Sequence, residues 1–161
     1  MQKNRRNTII FLVLGFVILL TDQITKFLAV SAITKNMSIT IIPSFFHLAL
    51  VENRGAAFGL LSQLPDPIRS YVFGVISVLA FLLLFYIYKS QPESKWVVPI
   101  AITMITSGAF GNLIDRVRLG YVIDFLDFQF GNYHWPTFNI ADSSITLGVI
   151  VILIFMIYNG E

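Results

Sequence analysis

The side chains best suited to chemistry are aspartates in the last third of the chain. Asp124 and Asp127 lie in the strand-like segment 121–128, and Asp142 lies where a long apolar segment begins. An acid from the strand-like segment can therefore meet Asp142. Two carboxylates at hydrogen-bonding distance cannot both ionise readily, so one keeps its proton and the pair titrates as a unit. Such a pair can activate a water and protonate a leaving amine, which is amide hydrolysis without metal, serine or cysteine.

The local sequence limits how these acids can be placed. In a strand Asp124 and Asp127 point to opposite faces, so we expect one to face water and the other to face inward. Asp142 is either the N-cap of the last helix or, if Asn139 is the cap, a first-turn residue facing the bundle.

Other polar residues lie within or beside apolar segments. Asp22 and Lys26 are four residues apart, share a helix face and can pair, either as a structural ion pair or in a chemical role. Gly108 and Gly111 are small enough to let a neighbouring helix or a substrate backbone approach closely.

A polar group follows these glycines in the sequence. Asn112 and Asp115 are three residues apart and face the same way, and Arg116 can pair with an acid from another segment. The alternative interpretation of all three residues is a polar cap that holds helix ends together.

Other hydrolytic designs lack the residues they need. The chain has no cysteine, no H-E-x-x-H and no G-x-S-x-G sequence, and both histidines, His47 and His134, lie in strand-like aromatic segments. We therefore expect no metal and no cofactor. The net charge of +2 is too small to indicate a nucleic-acid partner.

The composition shows which elements must position these residues. Of 161 residues, 56% are hydrophobic and 12% charged, whereas soluble domains carry about 25% charged residues. Four segments have the roughly 20 apolar residues that a membrane span needs. They are residues 8–30, 70–88, 96–114 and 141–158. We predict one membrane-embedded domain over residues 1–161, with the first span retained rather than cleaved.

Charge indicates the orientation of the spans. The cluster of Lys3, Arg5 and Arg6 before the first span predicts a cytoplasmic N-terminus, and four spans then return the C-terminus to the same side. Seven of the nine acids fall on or near the outer side in this arrangement. They are Asp22, Glu52, Asp66, Asp115, Asp124, Asp127 and Asp142.

The outer segments are predicted to form a small sheet. Residues 38–42, 45–52 and 121–130 are strand-like, and Gly131-Asn132 is a typical hairpin turn. Residues 56–61 are apolar and short, which favours a helix lying at the membrane interface.

Five motifs in this order resemble those of the lipoprotein signal peptidases (signal peptidase II). They are Asp22-Gln-Ile-Thr-Lys26, Glu52-Asn-Arg-Gly-Ala-Ala-Phe58, Gly108-Ala-Phe-Gly-Asn-Leu-Ile-Asp-Arg116, Val122-Ile-Asp-Phe125 and Phe138-Asn-Ile-Ala-Asp142. The family often has Gly-Gly-Ala where this chain has Ser107-Gly108-Ala109, and serine is small enough to keep the helix packing. The resemblance implies an all-α integral membrane protein with four transmembrane helices, an outer β-cradle and a short interfacial helix.

The resemblance also implies a function and site residues. The family consists of bacterial aspartyl endopeptidases that cleave prolipoproteins just before a diacylglyceryl-modified cysteine. The matched catalytic pair is Asp124 and Asp142, while Asp127 has no counterpart. Residues that bind substrate or support the pair are Asn53, Gly55, Asn112, Arg116 and Asn139. Residues with a more architectural role are Asp22, Lys26 and Asp115.

The expected setting follows from the same resemblance. The partners are lipid-modified prolipoproteins and membrane lipid, and we expect a monomer. The protein would cross the bacterial cytoplasmic membrane several times, with both termini in the cytoplasm and the active site near the outer face.

Two other classes compete with a peptidase. A small transporter would use the acids as a proton relay, but they cluster near one interface. A magnesium-dependent lipid transferase needs several carboxylates converging on the metal, and the close pair Asp124 and Asp127 lies on a predicted strand.

Overall fold

A computed structural model of the chain describes residues 2–34, 37–55, 61, 63–90 and 96–159. Four long helices dominate the described part of the chain. They are α1 (Gln2–Ala32), α2 (Asp66–Ser90), α3 (Val97–Leu119) and α4 (Ile140–Asn159). Each contains a stretch of at least 18 residues that is long and apolar enough to cross a membrane. The exposed side chains of these stretches are largely apolar, as expected for surfaces that face lipid.

The third helix is longer than the apolar segment predicted from the sequence. It continues beyond residue 114 to Leu119, so Asp115 and Arg116 lie within its last turns. Arg116 and Arg118 occupy the last turn, where cations suit the helix dipole. Gly120 ends the helix in the left-handed conformation, with φ of 80°, and donates its N–H to the Arg116 carbonyl at 3.0 Å.

A four-stranded antiparallel sheet lies at one end of the bundle. Its strands, in spatial order, are β1 (Ser38–Ile42), β2 (Phe46–Asn53), β3 (Val122–Phe130) and β4 (Tyr133–His134). The predicted hairpin is present, since Phe130 pairs with Tyr133 across Gly131 and Asn132. The four helices and the small sheet confirm the predicted fold class. The predicted interfacial helix at 56–61 lies outside the described residues, apart from Leu61.

The sheet sits where α1 and α3 end and where α2 and α4 begin. Ala29 and Ile33 at the end of α1 pack against Phe125 of β3, forming an apolar cluster beneath the sheet. A bulge between Leu48 and Val51 changes the register of β2 against β3, and it pairs Val51 with Asp124. Bulges of this kind change the direction of a nearby side chain.

Small residues bring α3 and α4 into close contact. A methyl group on Gly108 would collide with the Ala141 carbonyl oxygen, and one on Gly148 would lie 2.8 Å from the Ala101 carbonyl oxygen. Gly15 of α1 likewise leaves room for the Ser107 hydroxyl. The predicted role of Gly108 in close helix packing is confirmed.

Candidate active site

Asp124 lies near the start of β3 and is almost completely buried, with 1% of its surface exposed. Its carboxylate accepts hydrogen bonds from the side-chain amides of Asn53 at 2.9 Å and Asn139 at 2.7 Å. Burial and the nearby charge of Asp142 raise the pKa of Asp124 to about 7, while the two amide donors oppose that rise. Asp124 therefore exchanges its proton near neutral pH.

Asp142 occupies the first turn of α4 and not its N-cap. Asn139 is the cap, because its side-chain oxygen accepts the Asp142 backbone N–H at 2.9 Å. The Asp142 carboxylate reaches back towards the Asn139 N–H at 3.4 Å, in the reciprocal arrangement of a capping box. Of the two predicted placements, the structure adopts the one with Asp142 in the first turn.

The fully buried Asn139 side chain connects the two aspartates. Its oxygen is bonded to the Asp142 backbone, so its nitrogen is directed to the Asp124 carboxylate. The same nitrogen also lies 3.2 Å from the Ile123 carbonyl oxygen. One amide thus fixes the positions of both acids relative to each other.

A buried ion cluster supports the two aspartates from below. The Lys26 ammonium contacts Asp22 at 2.9 Å, Asp115 at 2.8 Å and the Asn112 side-chain oxygen at 3.0 Å. All three charged residues are at most 3% exposed. Three polar partners satisfy the three ammonium protons, which is how a buried charge of this kind is tolerated. The pairing of Asp22 with Lys26 predicted from their spacing is confirmed.

Each acid of this ion cluster also binds the backbone beside a catalytic candidate. Asp22 accepts the N–H of Ala141 at 2.9 Å, and Asp115 accepts the N–H of Ile123 at 3.2 Å. Ala141 and Ile123 directly precede Asp142 and Asp124 in the sequence. The ion cluster therefore positions the two elements that carry the aspartates.

Asn112 is hydrogen-bonded to both Lys26 and Asp142, and so links the ion cluster to that aspartate. Its side-chain oxygen accepts hydrogen bonds from Lys26 and Asn139, so its amide nitrogen must point the other way. That nitrogen donates to the Asp142 carboxylate at 2.8 Å. The charge on Lys26 thus fixes which end of the amide faces Asp142.

A turn after β2 closes one side of the site. Asn53 accepts the Gly55 N–H at 3.0 Å on its side-chain oxygen, which leaves its nitrogen to face Asp124. Arg116 donates to the Gly55 carbonyl at 3.1 Å and lies 4.3 Å from the ring centre of Phe73 on α2. Arg116 therefore joins α2 and α3 to this turn.

Two residues near the site were not identified from the sequence. Gln23 donates to Asp22 at 3.1 Å and to Asp115 at 3.2 Å, and so holds the two acids of the ion cluster together. Its position inside the Asp22–Lys26 motif was the only local indication. Phe73 lies in an apolar span, where nothing in the sequence distinguishes it from the other aromatic residues.

The expectation that one of Asp124 and Asp127 faces water was wrong. Neither Asp124 nor Asp127 faces water, because Asp127 is only 7% exposed and is covered by the His134 imidazole. His134 Nδ1 lies 2.9 Å from both carboxylate oxygens. Asp127 is bonded to a different partner from Asp124, so the two do not form one site.

Within residues 2–34, 37–55, 61, 63–90 and 96–159, no three histidine, aspartate or glutamate side chains are grouped so that they could hold a metal ion.

Comparisons of sequence identify the family. Residues 14–158 match the family model described as signal peptidase (SPase) II. The chain is 41% identical over 155 residues to a lipoprotein signal peptidase of Syntrophus aciditrophicus, covering 95% of each protein. It is 43% identical over 143 residues to a lipoprotein signal peptidase of Francisella tularensis subsp. novicida, covering 89% of this chain and 88% of the relative.

Comparison of structure agrees. A solved bacterial membrane enzyme superimposes with a TM-score of 0.81 at 32% identity, covering 94% of this chain and 89% of the other. A second bacterial membrane enzyme gives a TM-score of 0.78 at 34% identity, covering 91% of each chain. With four apolar helices and this similarity over most of its length, the chain is a multi-pass bacterial membrane protease that belongs to the signal peptidase II family.

Proposed function

We propose that this protein is an aspartyl endopeptidase of the membrane that removes the signal peptide from diacylglyceryl-modified prolipoproteins, with Asp124 and Asp142 as its catalytic pair. The relatives named lipoprotein signal peptidase support the class of substrate. The observation that carries the catalytic assignment is the Asn139 side chain, which is bonded to the Asp124 carboxylate and to the backbone of Asp142.

The two aspartates have different surroundings, which suggests a division of labour. Asp124 retains a proton up to about neutral pH because it is buried beside another acid. Asp142 lies at the N-terminus of α4, where the helix dipole favours a negative charge. We assign Asp142 as the base and Asp124 as the acid.

The reaction then proceeds in balanced steps. Asp142 takes a proton from water, and the water oxygen attacks the scissile carbonyl carbon while protonated Asp124 donates a hydrogen bond to the carbonyl oxygen. Collapse of the tetrahedral intermediate breaks the C–N bond, and Asp142 passes the proton that it took from water to the leaving amine of the modified cysteine. The signal peptide leaves with a new carboxylate.

The supporting residues hold this geometry. Asn53, Asn112 and Asn139 donate to or position the two carboxylates, and Arg116 fixes the Gly55 carbonyl in the adjoining turn. The role of the ion cluster of Asp22, Lys26 and Asp115 is architectural.

The membrane setting is part of the proposal. The site lies at the end of the bundle that carries the sheet, away from the first turns of α1 and the last turns of α4. The basic residues at the start of α1 favour a cytoplasmic location for the opposite end of the bundle, where α1 begins and α4 ends. The active site would then face the outer leaflet, the signal helix would enter laterally among the spans, and its acyl chains would stay in lipid.

The decisive experiment is cleavage of a diacylglyceryl-modified prolipoprotein by purified protein in detergent, with EDTA present. Asp124→Asn and Asp142→Asn remove the titratable group at almost constant shape. We expect each to lower kcat by at least about 10³-fold, since each removes one half of the acid–base pair.

Asp127→Asn is the matched control, because it makes the same chemical change on the same strand as Asp124. Its amide oxygen still accepts a hydrogen bond from His134, so cleavage should stay within about tenfold of wild type. Full activity of either Asp124→Asn or Asp142→Asn would remove that residue from the pair. Loss of wild-type cleavage in EDTA would refute the metal-free mechanism.

A further inference from the structure

A second polar cluster lies on the sheet beyond the catalytic candidates. Asp127 of β3 is 7% exposed, and His134 of β4, whose side chain is 52% exposed, covers it. His47 of β2 lies directly opposite Asp127 in the register, and its ring centre is 6.0 Å from that of His134. None of these three residues has a role in the proposed reaction.

The Asp127–His134 pair fastens a weakly anchored strand. β4 has only two residues, paired as Gln129 with His134 and as Phe130 with Tyr133. Hydrogen bonds from a ring N–H to a carboxylate are stronger than those between neutral groups. The side-chain pair is therefore a substantial addition to the few backbone bonds that hold this strand.

The segment that follows β4 leads directly to the catalytic candidates. The Trp135 N–H donates to the Phe128 carbonyl at 2.7 Å. The Phe138 carbonyl accepts the N–H of Leu126 at 2.8 Å, and the Phe138 N–H donates to the Leu126 carbonyl at 3.1 Å. The next residue is Asn139, so the segment 135–139 sets the position of the amide that joins Asp124 to Asp142.

We propose that Asp127 and His134 are positioning residues of the peptidase, which fasten the segment 135–139 to β3 and so hold Asn139 between the two catalytic aspartates. This inference rests on the proposed catalytic pair. Neither residue is placed in contact with substrate, and the effect on the reaction passes through Asn139.

This role predicts an effect on the pH profile as well as on the rate. If the segment 135–139 loosens, Asp124 loses the 2.7 Å hydrogen bond from Asn139, which favours its charged form. The pKa of Asp124 should then rise further. The charged groups of the described residues that act on Asp124 are Asp142 of α4, Lys26 of α1 and Arg116 of α3, and none of them lies in the segment 135–139.

The test compares two variants of His134 in the cleavage assay. His134→Ala removes the donor, whereas His134→Asn keeps a nitrogen donor near the position of Nδ1. We expect His134→Ala to lower kcat about tenfold with KM within about twofold of wild type, and to move the alkaline limb of the profile to higher pH. His134→Asn should restore kcat to within about threefold and return the limb to its original place.

His47→Asn is the matched control. It removes an imidazole from the same surface, and the described hydrogen bonds of the His47 side chain go to Thr40 and Gln129 and not to the segment 135–139. We expect wild-type kcat and an unshifted limb. His134 is half exposed, so its variants should fold, and the thermal unfolding midpoint of each is measured alongside.

Hydrogen exchange of the backbone amides of residues 135 and 137–139 supplies a readout that does not depend on catalysis; residue 136 is a proline and has no amide hydrogen. Faster exchange in His134→Ala than in His134→Asn supports the fastening role. Wild-type kcat and an unshifted limb in His134→Ala would overturn the inference, as would equal losses in both variants. Activity of Asp124→Asn in the same assay would instead overturn the catalytic pair, and the exchange rates would still decide whether His134 holds the segment.

Discussion

At the scale of single residues, the amide of Asn139 determines the arrangement of the two aspartates. Its oxygen accepts from the backbone of Asp142, and its nitrogen is shared among Asp124, Asn112 and the Ile123 carbonyl. An aspartate or leucine at this position could not make the same set of contacts, because only an amide offers both a donor and an acceptor.

The raised pKa of Asp124 leads to a prediction about pH. Its carboxyl is protonated below about pH 7 and ionised above it. The proposed reaction needs that proton, so kcat/KM should fall about tenfold per pH unit above a midpoint near neutrality. The measurement is the initial rate of cleavage from about pH 5 to about pH 9, with folding checked at each pH. A rate that stays flat through the alkaline range would show that Asp124 is not the acid.

The contacts of individual side chains could be predicted from the sequence only where they depend on local spacing. The pairing of Asp22 with Lys26 follows from one helical turn, and capping by Asn139 follows from its position three residues before Asp142. The bond from Asp22 to the N–H of Ala141 spans 119 residues. No spacing rule predicts such a bond, because it depends on how α1 and α4 pack.

The contact of Asp127 with His134 is intermediate between contacts that local spacing predicts and contacts that depend on how helices pack. The hairpin turn at Gly131-Asn132 sets a register that places His134 opposite Gln129, and so diagonally across from Asp127. Extending the register from the turn would have predicted this pair, whereas alternation along β3 alone suggested a carboxylate in water.

At the scale of elements, α3 is the helix on which the site is built. It carries Asn112, Asp115 and Arg116, and its glycines face α1 and α4. A methyl group on Gly111 would lie 2.5 Å from the Asp22 carboxylate oxygen, within the ion cluster. The absence of a side chain at Gly111 therefore makes room for a charged group of another helix.

Replacing Gly111 with alanine tests how closely the helices pack around it, and the comparison with a second glycine separates that effect from helix propensity. Gly111→Ala should displace Asp22 and lower the stability by about 1–3 kcal/mol, as overpacking usually does. Cleavage activity should fall with it, because Asp22 holds the backbone beside Asp142. The readouts are the thermal unfolding midpoint in detergent and kcat.

Gly74 of α2 is the matched control for that substitution. A methyl group there would have no neighbour within 4 Å, and alanine favours helix over glycine by about 1 kcal/mol. Gly74→Ala should therefore unfold at the same temperature as wild type or higher. Equal unfolding midpoints for the two variants would contradict the close packing around Gly111.

The elements themselves were largely predictable, and their ends were not. Continuous apolar runs predicted the four helices, but a hydropathy criterion ended the third span where Asp115 and Arg116 begin. The helix continues because those polar side chains find partners in Lys26, the Ile123 N–H and the Gly55 carbonyl. The hydropathy pattern along one helix does not predict which partners distant segments supply.

At the scale of the whole molecule, the proposed orientation can be tested directly. The natural chain has no cysteine, so single cysteines give a clean background for labelling. Asn132 lies at the exposed hairpin tip, and Tyr158 lies in the last turn of α4, 91% exposed.

We expect a membrane-impermeant maleimide to label Asn132→Cys in intact spheroplasts, and to label Tyr158→Cys only after lysis. This result follows if the sheet faces outward and both chain ends face the cytoplasm. The opposite labelling pattern would place the active site on the cytoplasmic side and refute the proposed topology.

The buried ion cluster has a consequence for the synthesis of the protein. Its residues come from α1 and α3, and its Asp22 carboxylate binds the first turn of α4, which is synthesised after the other three helices. Until that helix is inserted, the nascent chain lacks Asp142 and the backbone group that completes the cluster. If Asp124 and Asp142 are the catalytic pair, as proposed, we expect proteolytic activity to begin only after α4 has entered the membrane.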